Sequence, residues 1–160
     1  MMEEVLSHSQ RLEADAAIDA LFRAEYPVMV RLAYTIIGNN AEAEEIVQDS
    51  FAEVHRRWSE IRKPGAYLRT TVVLGCRSLL KRRFVRQSQP PEPPAGLPEF
   101  DVALWTVVHS LPEDQRIVVV LKYYGRCRGS EIAQIMDIPG STVRSHLKRG
   151  LATLRKELES

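Results

Sequence analysis

Residues 129–154 read GSEIAQIMDIPGSTVRSHLKRGLATL, and their pattern predicts two helices separated by a break. A short amphipathic segment comes first, and Pro139 and Gly140 interrupt it. Ser141 or Thr142 is expected to cap the second helix, because a side-chain oxygen there accepts from free backbone amides. A short helix, a breaker, a cap and a second helix in close succession are typical of a helix-turn-helix.

The second predicted helix is amphipathic and has no acidic residue before Glu157. Its apolar positions, expected to be buried, are Val143, Leu147, Leu151 and Leu154. The opposite face has hydroxyls near the start and cations further along, namely Ser141, Thr142, Arg144, Ser145, Lys148 and Arg149. Early side chains of such a helix reach base edges in the major groove, and later cations bind phosphates. The pattern favours DNA recognition over the alternative, a surface helix with solvated charges.

Upstream lies a proline-rich segment, QSQPPEPPAGLP, at residues 87–98. Its five prolines and one glycine exclude a helix or a central strand. We therefore expect two domains, at residues 11–86 and 99–160, joined by this linker. When extended, such a linker spans up to roughly 40 Å, which is close to one turn of B-DNA.

Helical periodicity runs through the first predicted domain. One face of a helix is formed by Ala43, Ile46, Val47, Ser50, Phe51, Val54 and Trp58. An upstream helix, with Leu21, Phe22, Val28, Leu32, Ala33, Ile36 and Ile37, is expected to start or kink at Pro27 and to end at residues 38–40. A third follows Pro64 and Gly65, with Val73 and Leu74 on its basic face. We also interpret IVVVLKYY, residues 117–124, as a helix, so the predicted fold is all-α: two small helical domains, the second a helix-turn-helix.

Charge is distributed unevenly along the chain, although the net charge is only +1. Residues 1–61 have five basic and twelve acidic side chains, a net charge of −7. Residues 62–87 have eight basic side chains and no acidic one. Together with the basic C-terminal helix, this predicts two separate positive surfaces that attract DNA.

Several classes of protein do not fit the sequence. No apolar run approaches the roughly 20 residues that a membrane span needs, and the acidic start is unlike a secretory signal, so we expect a cytoplasmic protein without membrane insertion. Cys76 and Cys127 are expected to be buried thiols rather than metal ligands. Glu45 and Asp49 lack a neighbouring histidine, and no phosphate loop or nucleophile motif is present, so we expect no enzyme, metal or cofactor.

These residues resemble the bacterial RNA polymerase sigma factors of the extracytoplasmic-function type, which consist of two helical domains on a short linker. AEAEEIVQDSF, residues 41–51, is similar to the helix by which that family docks on the beta-prime clamp. The resemblance implies that Glu45, Gln48 and Asp49 bind core RNA polymerase. Residues 111–158 resemble the family's domain for the minus-thirty-five promoter element, which also touches the beta flap.

Residues 58–83 resemble the family segment that reads the minus-ten element and opens the strands. The resemblance implies that the DNA backbone is held by Arg69, Arg77, Lys81, Arg82 and Arg83. It also implies a flipped base in a loop pocket near residues 58–66. Leu74 departs from the asparagine that relatives often have, which puts the usual strand-opening contacts in doubt. Sequestration, if it regulates this chain, would require a separate anti-sigma factor.

Two other functional classes fit the sequence less well. A dimeric regulator of the response-regulator output type shares a motif like TVRSHL, but its N-terminal half would alternate strands and helices. An enzyme or a pure interaction bundle would show convergent titratable groups or an unexplained apolar stripe. Apart from Val73 and Leu74, neither is visible. The sequence therefore favours a promoter-reading sigma factor over both alternatives.

Overall fold

The computed structural model describes residues 1–85 and 91–159, and within them it is helical with no strand. Arg86 and residues 87–90, the end of the predicted basic segment and the start of the predicted linker, lie outside the described residues. The helices are α1 Met2–Ile37, α2 Asn40–Arg56, a short 3-10 helix Trp58–Glu60, α3 Pro64–Val85, α4 Glu99–Ser110, α5 Glu113–Tyr123, α6 Gly129–Met136 and α7 Gly140–Glu159. The predicted all-α class is confirmed.

Helices α1 to α3 pack against one another as a three-helix unit. Helix α1 ends where predicted, because Gly38 adopts the left-handed conformation, with a φ of 77°. Asn39 then caps α2, and its side-chain oxygen accepts from the Glu42 amide at 2.9 Å. The prediction that Pro27 starts a helix is wrong, because α1 runs through it from Met2.

Helix α5 is the centre of the second half and confirms the helical interpretation of residues 117–124 as far as Tyr123. Residues 117–121 are all buried, which explains a continuous apolar run in a helix. The run has no polar side because α1, α3, α6 and α7 all pack around it.

The two halves share one hydrophobic core, since α3 packs directly on α5 and α6. Val73 is completely buried in that core. The expectation that Val73 lies with Leu74 on an open basic face is therefore wrong. Adjacent helical residues point about 100° apart, so Val73 faces α5 and α6 while Leu74 stays 40% exposed.

Polar contacts join the halves at the C-terminal end of α1, which has no basic residue in its last turn. From the second half, Arg116 donates to the Ile36 carbonyl at 3.2 Å and to the His109 carbonyl at 2.8 Å. Within the first half, Arg83 of α3 also donates to the Ile37 carbonyl, at 2.7 Å. Cations at a helix C-terminus satisfy free carbonyls and interact favourably with the helix dipole.

Gly38 lies at the same junction, where both the backbone conformation and the close packing require a glycine. Besides its positive φ, a Cβ there would lie 2.4 Å from Cβ of Pro91 and 3.1 Å from Cε1 of His109. The proline-rich segment therefore lies, at Pro91, directly against the turn between α1 and α2.

His109 makes stability depend on pH. Burial, and then the charge of Arg116, lowers its pKa from 6.5 to about 3. Near pH 5 the folded chain keeps the ring neutral while the unfolded chain protonates it, so stability is lost as the pH falls below 6.5. As the pH falls from about 7 to 5, we expect protonation of His109 in the unfolded chain to lower the free energy of unfolding by about 2 kcal/mol. Urea denaturation at each pH measures this change.

His109→Phe keeps a ring beside Trp105, whose centroid lies 4.2 Å away, and should remove most of that loss. His8→Gln, which removes an exposed imidazole, should behave as the wild type. Equal pH dependence in wild type and His109→Phe would contradict the assignment.

Candidate functional site

The predicted helix-turn-helix is formed by α6 and α7. Helix α6 ends at Met136, and Asp137 adopts the left-handed conformation with a φ of 53°. The break therefore comes earlier than the predicted Pro139 and Gly140. Helix α7 begins at Gly140, so Ser141 and Thr142 lie within its first turn and do not cap it from outside, which corrects the expectation. The Thr142 amide instead donates to the Pro139 carbonyl at 3.0 Å.

The outer face of α7 presents the residues predicted to contact DNA upstream. Ser141, Arg144, Ser145, Lys148 and Arg149 are exposed, and Thr142 is half-buried. On the inner face Val143 and Leu154 are buried, while Leu147 and Leu151 are half-buried. Gly150 allows α7 to approach α5 closely, since a Cβ there would lie 2.8 Å from Cγ2 of Val119. The structure thus brings hydroxyls and cations together on one open helical surface.

The predicted docking residues lie on the outer face of α2. Glu45, Gln48 and Asp49 are all exposed, at the three- and four-residue spacing of one stripe. The Gln48 side-chain amide donates to the Tyr26 hydroxyl at 3.3 Å. This stripe borders a groove of about 440 Å³ between α2 and α3, where Leu74 is exposed. The acidic stripe is accessible in the folded chain.

The five cations predicted for α3 do not share one open surface. Lys81 and Arg82 are exposed. Arg69, Arg77 and Arg83 are half-buried and bind other parts of the chain.

Arg77 makes a bidentate contact with an acidic residue of α5. Its Nε and Nη2 donate to the two carboxylate oxygens of Asp114 at 2.9 and 3.0 Å. This hydrogen bonding raises the pKa of Arg77.

Arg69 contacts a different part of the second half. Its guanidinium lies 3.5 Å from Sγ of Cys127 and 4.0 Å from a Glu131 carboxylate oxygen.

Arg83 is bound within the first half of the chain. Besides the Ile37 carbonyl, its guanidinium donates to Glu42 at 2.5 Å. Arg83 therefore connects α3 to the end of α1 and the start of α2, and in this structure it stabilises the fold.

Two features of the second half were missed in the sequence. Asp114 is an ordinary acidic residue in the first turn of α5, and no local pattern marks it as the partner of an arginine 37 residues away. An apolar groove of about 460 Å³ lies among α4, α5, α7 and Thr35 of α1. Its wall includes Leu104, Trp105 and the exposed Tyr123. In the sequence, the signal of this groove is the pair Tyr123 and Tyr124, which follows the apolar run at residues 117–121.

The thiols of Cys76 and Cys127 are buried, as predicted. Burial raises the pKa of the Cys76 thiol to about 12.

Residues 1–85 and 91–159 contain no cluster of three histidine, cysteine or acidic side chains able to hold a metal ion. In the same residues, no helix is both long and apolar enough to cross a membrane.

Comparison with known proteins agrees with this architecture. The family model of sigma-70 region 2 matches residues 21–84, and that of sigma-70 region 4 matches residues 101–154. Among solved structures, the fold is similar to the sigma factor RpoE of Bartonella quintana, solved in complex with the anti-sigma factor NepR. The TM-score is 0.72 at 18% identity, and the match covers 88% of this chain and 96% of that one.

Relatives of similar length match across both halves. The RNA polymerase sigma-E factor of Streptomyces coelicolor is 30% identical over 146 residues, which cover 85% of this chain and 82% of the relative. The ECF RNA polymerase sigma factor SigW of Bacillus subtilis is 29% identical, covering 80% of this chain and 81% of the relative. The chain therefore belongs to the sigma-70 family, as an extracytoplasmic-function RNA polymerase sigma factor that serves transcription initiation.

Proposed function

We propose that this sigma factor docks on core RNA polymerase, recognises the minus-thirty-five and minus-ten elements and assists strand opening. The observation that carries the proposal is the open face of α7, which has no acidic residue before Glu157 and follows the short α6 at a tight turn. We assign residues 99–160 to the upstream element, residues 11–86 to polymerase and the minus-ten element, and residues 87–98 to the linker. Anti-sigma binding, as in the Bartonella complex, is a further proposal for this chain.

Reading of the minus-thirty-five element is assigned to α7. Its N-terminal turn presents Ser141 and Ser145 beside Arg144, so this turn enters the major groove and Arg144 reaches a base edge. Lys148 and Arg149 follow one turn later, where long cations bind phosphates.

Two alanine substitutions separate these roles. Arg144→Ala should weaken binding to the preferred duplex by about 1–3 kcal/mol and relax preference at one base position. Lys148→Ala should weaken binding to all duplexes by the same factor. It should also reduce, by about one, the slope of the logarithm of the binding constant against the logarithm of the salt concentration. Competition binding over a range of salt concentrations measures both, with Arg11→Ala in α1 as the control. Uniform losses from both α7 variants would refute the division of roles.

Polymerase docking is assigned to the α2 stripe formed by Glu45, Gln48 and Asp49. These side chains are exposed while the opposite face of α2 is in the core, so they are free to meet a partner without unfolding the helix. We expect this acidic stripe to meet a surface of complementary charge on the beta-prime clamp.

Asp49→Lys reverses one charge in this stripe and should weaken binding to core polymerase about tenfold or more, measured by fluorescence anisotropy. Glu4→Lys makes the same change at an exposed position in the first turn of α1, outside α2, and should stay within about threefold of wild type. If both variants keep wild-type affinity, the docking assignment is wrong.

The apolar groove among α4, α5 and α7 is the proposed site for the beta flap. The groove lies mainly on the half of the chain that is assigned to the minus-thirty-five element. Tyr123, at the edge of the groove, is 58% exposed. Exposed aromatic side chains beside an apolar groove are frequent anchors in protein interfaces.

Tyr123→Ala should therefore weaken binding to an isolated flap fragment about tenfold, as measured by calorimetry, because it removes such an anchor. Val28→Ala, which truncates an exposed apolar side chain on α1, is the matched control. Unchanged flap affinity in Tyr123→Ala would exclude this groove.

Strand opening and minus-ten recognition are assigned to α3 and the preceding loop. Lys81 and Arg82 are exposed and available to phosphates in this state, whereas Arg69, Arg77 and Arg83 become available only when their present contacts break. The flipped base is assigned to the loop at residues 58–66. Leu74, exposed beside the α2–α3 groove, cannot donate a hydrogen bond to a base there.

A further inference from the structure

We propose that the loop between α5 and α6 binds phosphates of the DNA backbone through Arg126 and Arg128. In this account Arg126 keeps a strained backbone conformation because its cation is needed at that point. The inference rests on the proposed DNA-reading role of α6 and α7, and it adds a DNA contact that lies outside α7.

The segment from the end of α5 to the start of α6 is basic. Residues 122–128 read KYYGRCR, with three basic side chains and no acidic one. Arg126 and Arg128 are both exposed, and Arg126 has no acidic partner among residues 1–85 and 91–159. Nε of Arg128, whose side chain is 87% exposed, lies 4.0 Å from a Glu131 carboxylate oxygen. Because such a surface pair contributes little, both cations are available to an anion.

Arg126 adopts the left-handed backbone conformation, with a φ of 54°. Glycine enters this region freely, whereas a Cβ makes it unfavourable. In the part of the chain that the structure describes, one other non-glycine residue has a positive φ, Asp137, and aspartate tolerates that conformation well. Strain that a glycine would remove, kept at an exposed arginine, points to a function of the side chain.

Cys127 fixes the loop between the two arginines. Cys127 is 3% exposed, and its amide donates to the Leu121 carbonyl at 2.9 Å. The Gly125 amide donates to the Val120 carbonyl, also at 2.9 Å. The arginines therefore extend from a loop that is anchored to the core, so little backbone freedom is lost when they bind a partner.

The position of the loop favours DNA as that partner. Helix α6 begins at Gly129, directly after Arg128, and packs on α7. In a helix-turn-helix the second helix enters the major groove while the first crosses the DNA backbone. Phosphates are thus expected beside the start of α6, and the arginine fork binds them well. Such contacts position a domain on DNA without reading its sequence.

Arg126→Gly in the full-length chain tests both parts of the proposal. Glycine accepts the left-handed φ and removes the cation, so the midpoint of urea denaturation should rise while DNA binding weakens. Affinity for a labelled duplex of preferred sequence and for a scrambled duplex should fall by the same factor, about three- to tenfold in dilute salt. The slope of the logarithm of the binding constant against the logarithm of the salt concentration should fall by about one, as it should in Arg128→Ala.

Three control variants separate strain from charge. Asp137→Gly relieves the other left-handed position and should raise the urea midpoint without weakening DNA binding. Arg31→Ala removes an exposed arginine from α1 and should leave the salt slope unchanged. Arg126→Lys keeps the charge and the strain, so its affinity should stay within about twofold of wild type.

The outcomes distinguish this proposal from the function on which it rests. An unchanged slope in Arg126→Gly, beside a reduced slope in Lys148→Ala, would overturn the loop contact and leave the role of α7 intact. If neither variant changes the slope, DNA binding by α6 and α7 fails as well. Weaker binding of Arg126→Gly to core polymerase without DNA, at an unchanged slope, would assign the loop to a protein partner and overturn the proposal. A urea midpoint that does not rise in Arg126→Gly would overturn the claim of strain.

Discussion

The apolar run at residues 117–121 can be buried in a helix only if neighbours surround that helix on every side. Helices α6 and α7 do not surround α5 by themselves, and α1 and α3 from the first half complete the enclosure. Two segments that resemble separate domains in the sequence thereby share one core. The placement of α3 against α5, and with it the state of the α3 cations, follows from this requirement.

The shared core changes how the charges of the chain are used. The segment at residues 62–87 has only basic residues among its charged ones, but some of these cations meet acidic groups from elsewhere in the fold. Arg77 pairs with Asp114, and Arg83 with Glu42. Helix α7, by contrast, keeps its cationic face open to solvent. The two proposed DNA surfaces are thus unequal in the free chain: one is exposed, and the other is in part engaged.

Local patterns predicted the helices well. Periodicity found α2, α6 and α7, and the helical interpretation of residues 117–124 was correct as far as Tyr123, despite their β-branched composition. Gly38 and Asn39 marked the turn after α1, because glycine takes a left-handed φ easily and an asparagine side chain caps the next helix. Pro27 does not start a helix, since α1 runs through it from Met2. Contacts between the halves, such as Arg77 with Asp114, leave no periodic trace, so burial of Val73 was not predictable.

Run-off transcription with core RNA polymerase tests the central claim most directly, because a sigma factor is defined by what it enables the core enzyme to do. Reactions with core alone and with core plus this chain are compared on templates that contain or lack candidate minus-thirty-five and minus-ten elements. We expect transcripts of one defined start site only when the chain is added, and only from templates with both elements. Tight DNA binding by a dimer of the chain, with no stimulation of core polymerase, would contradict the account.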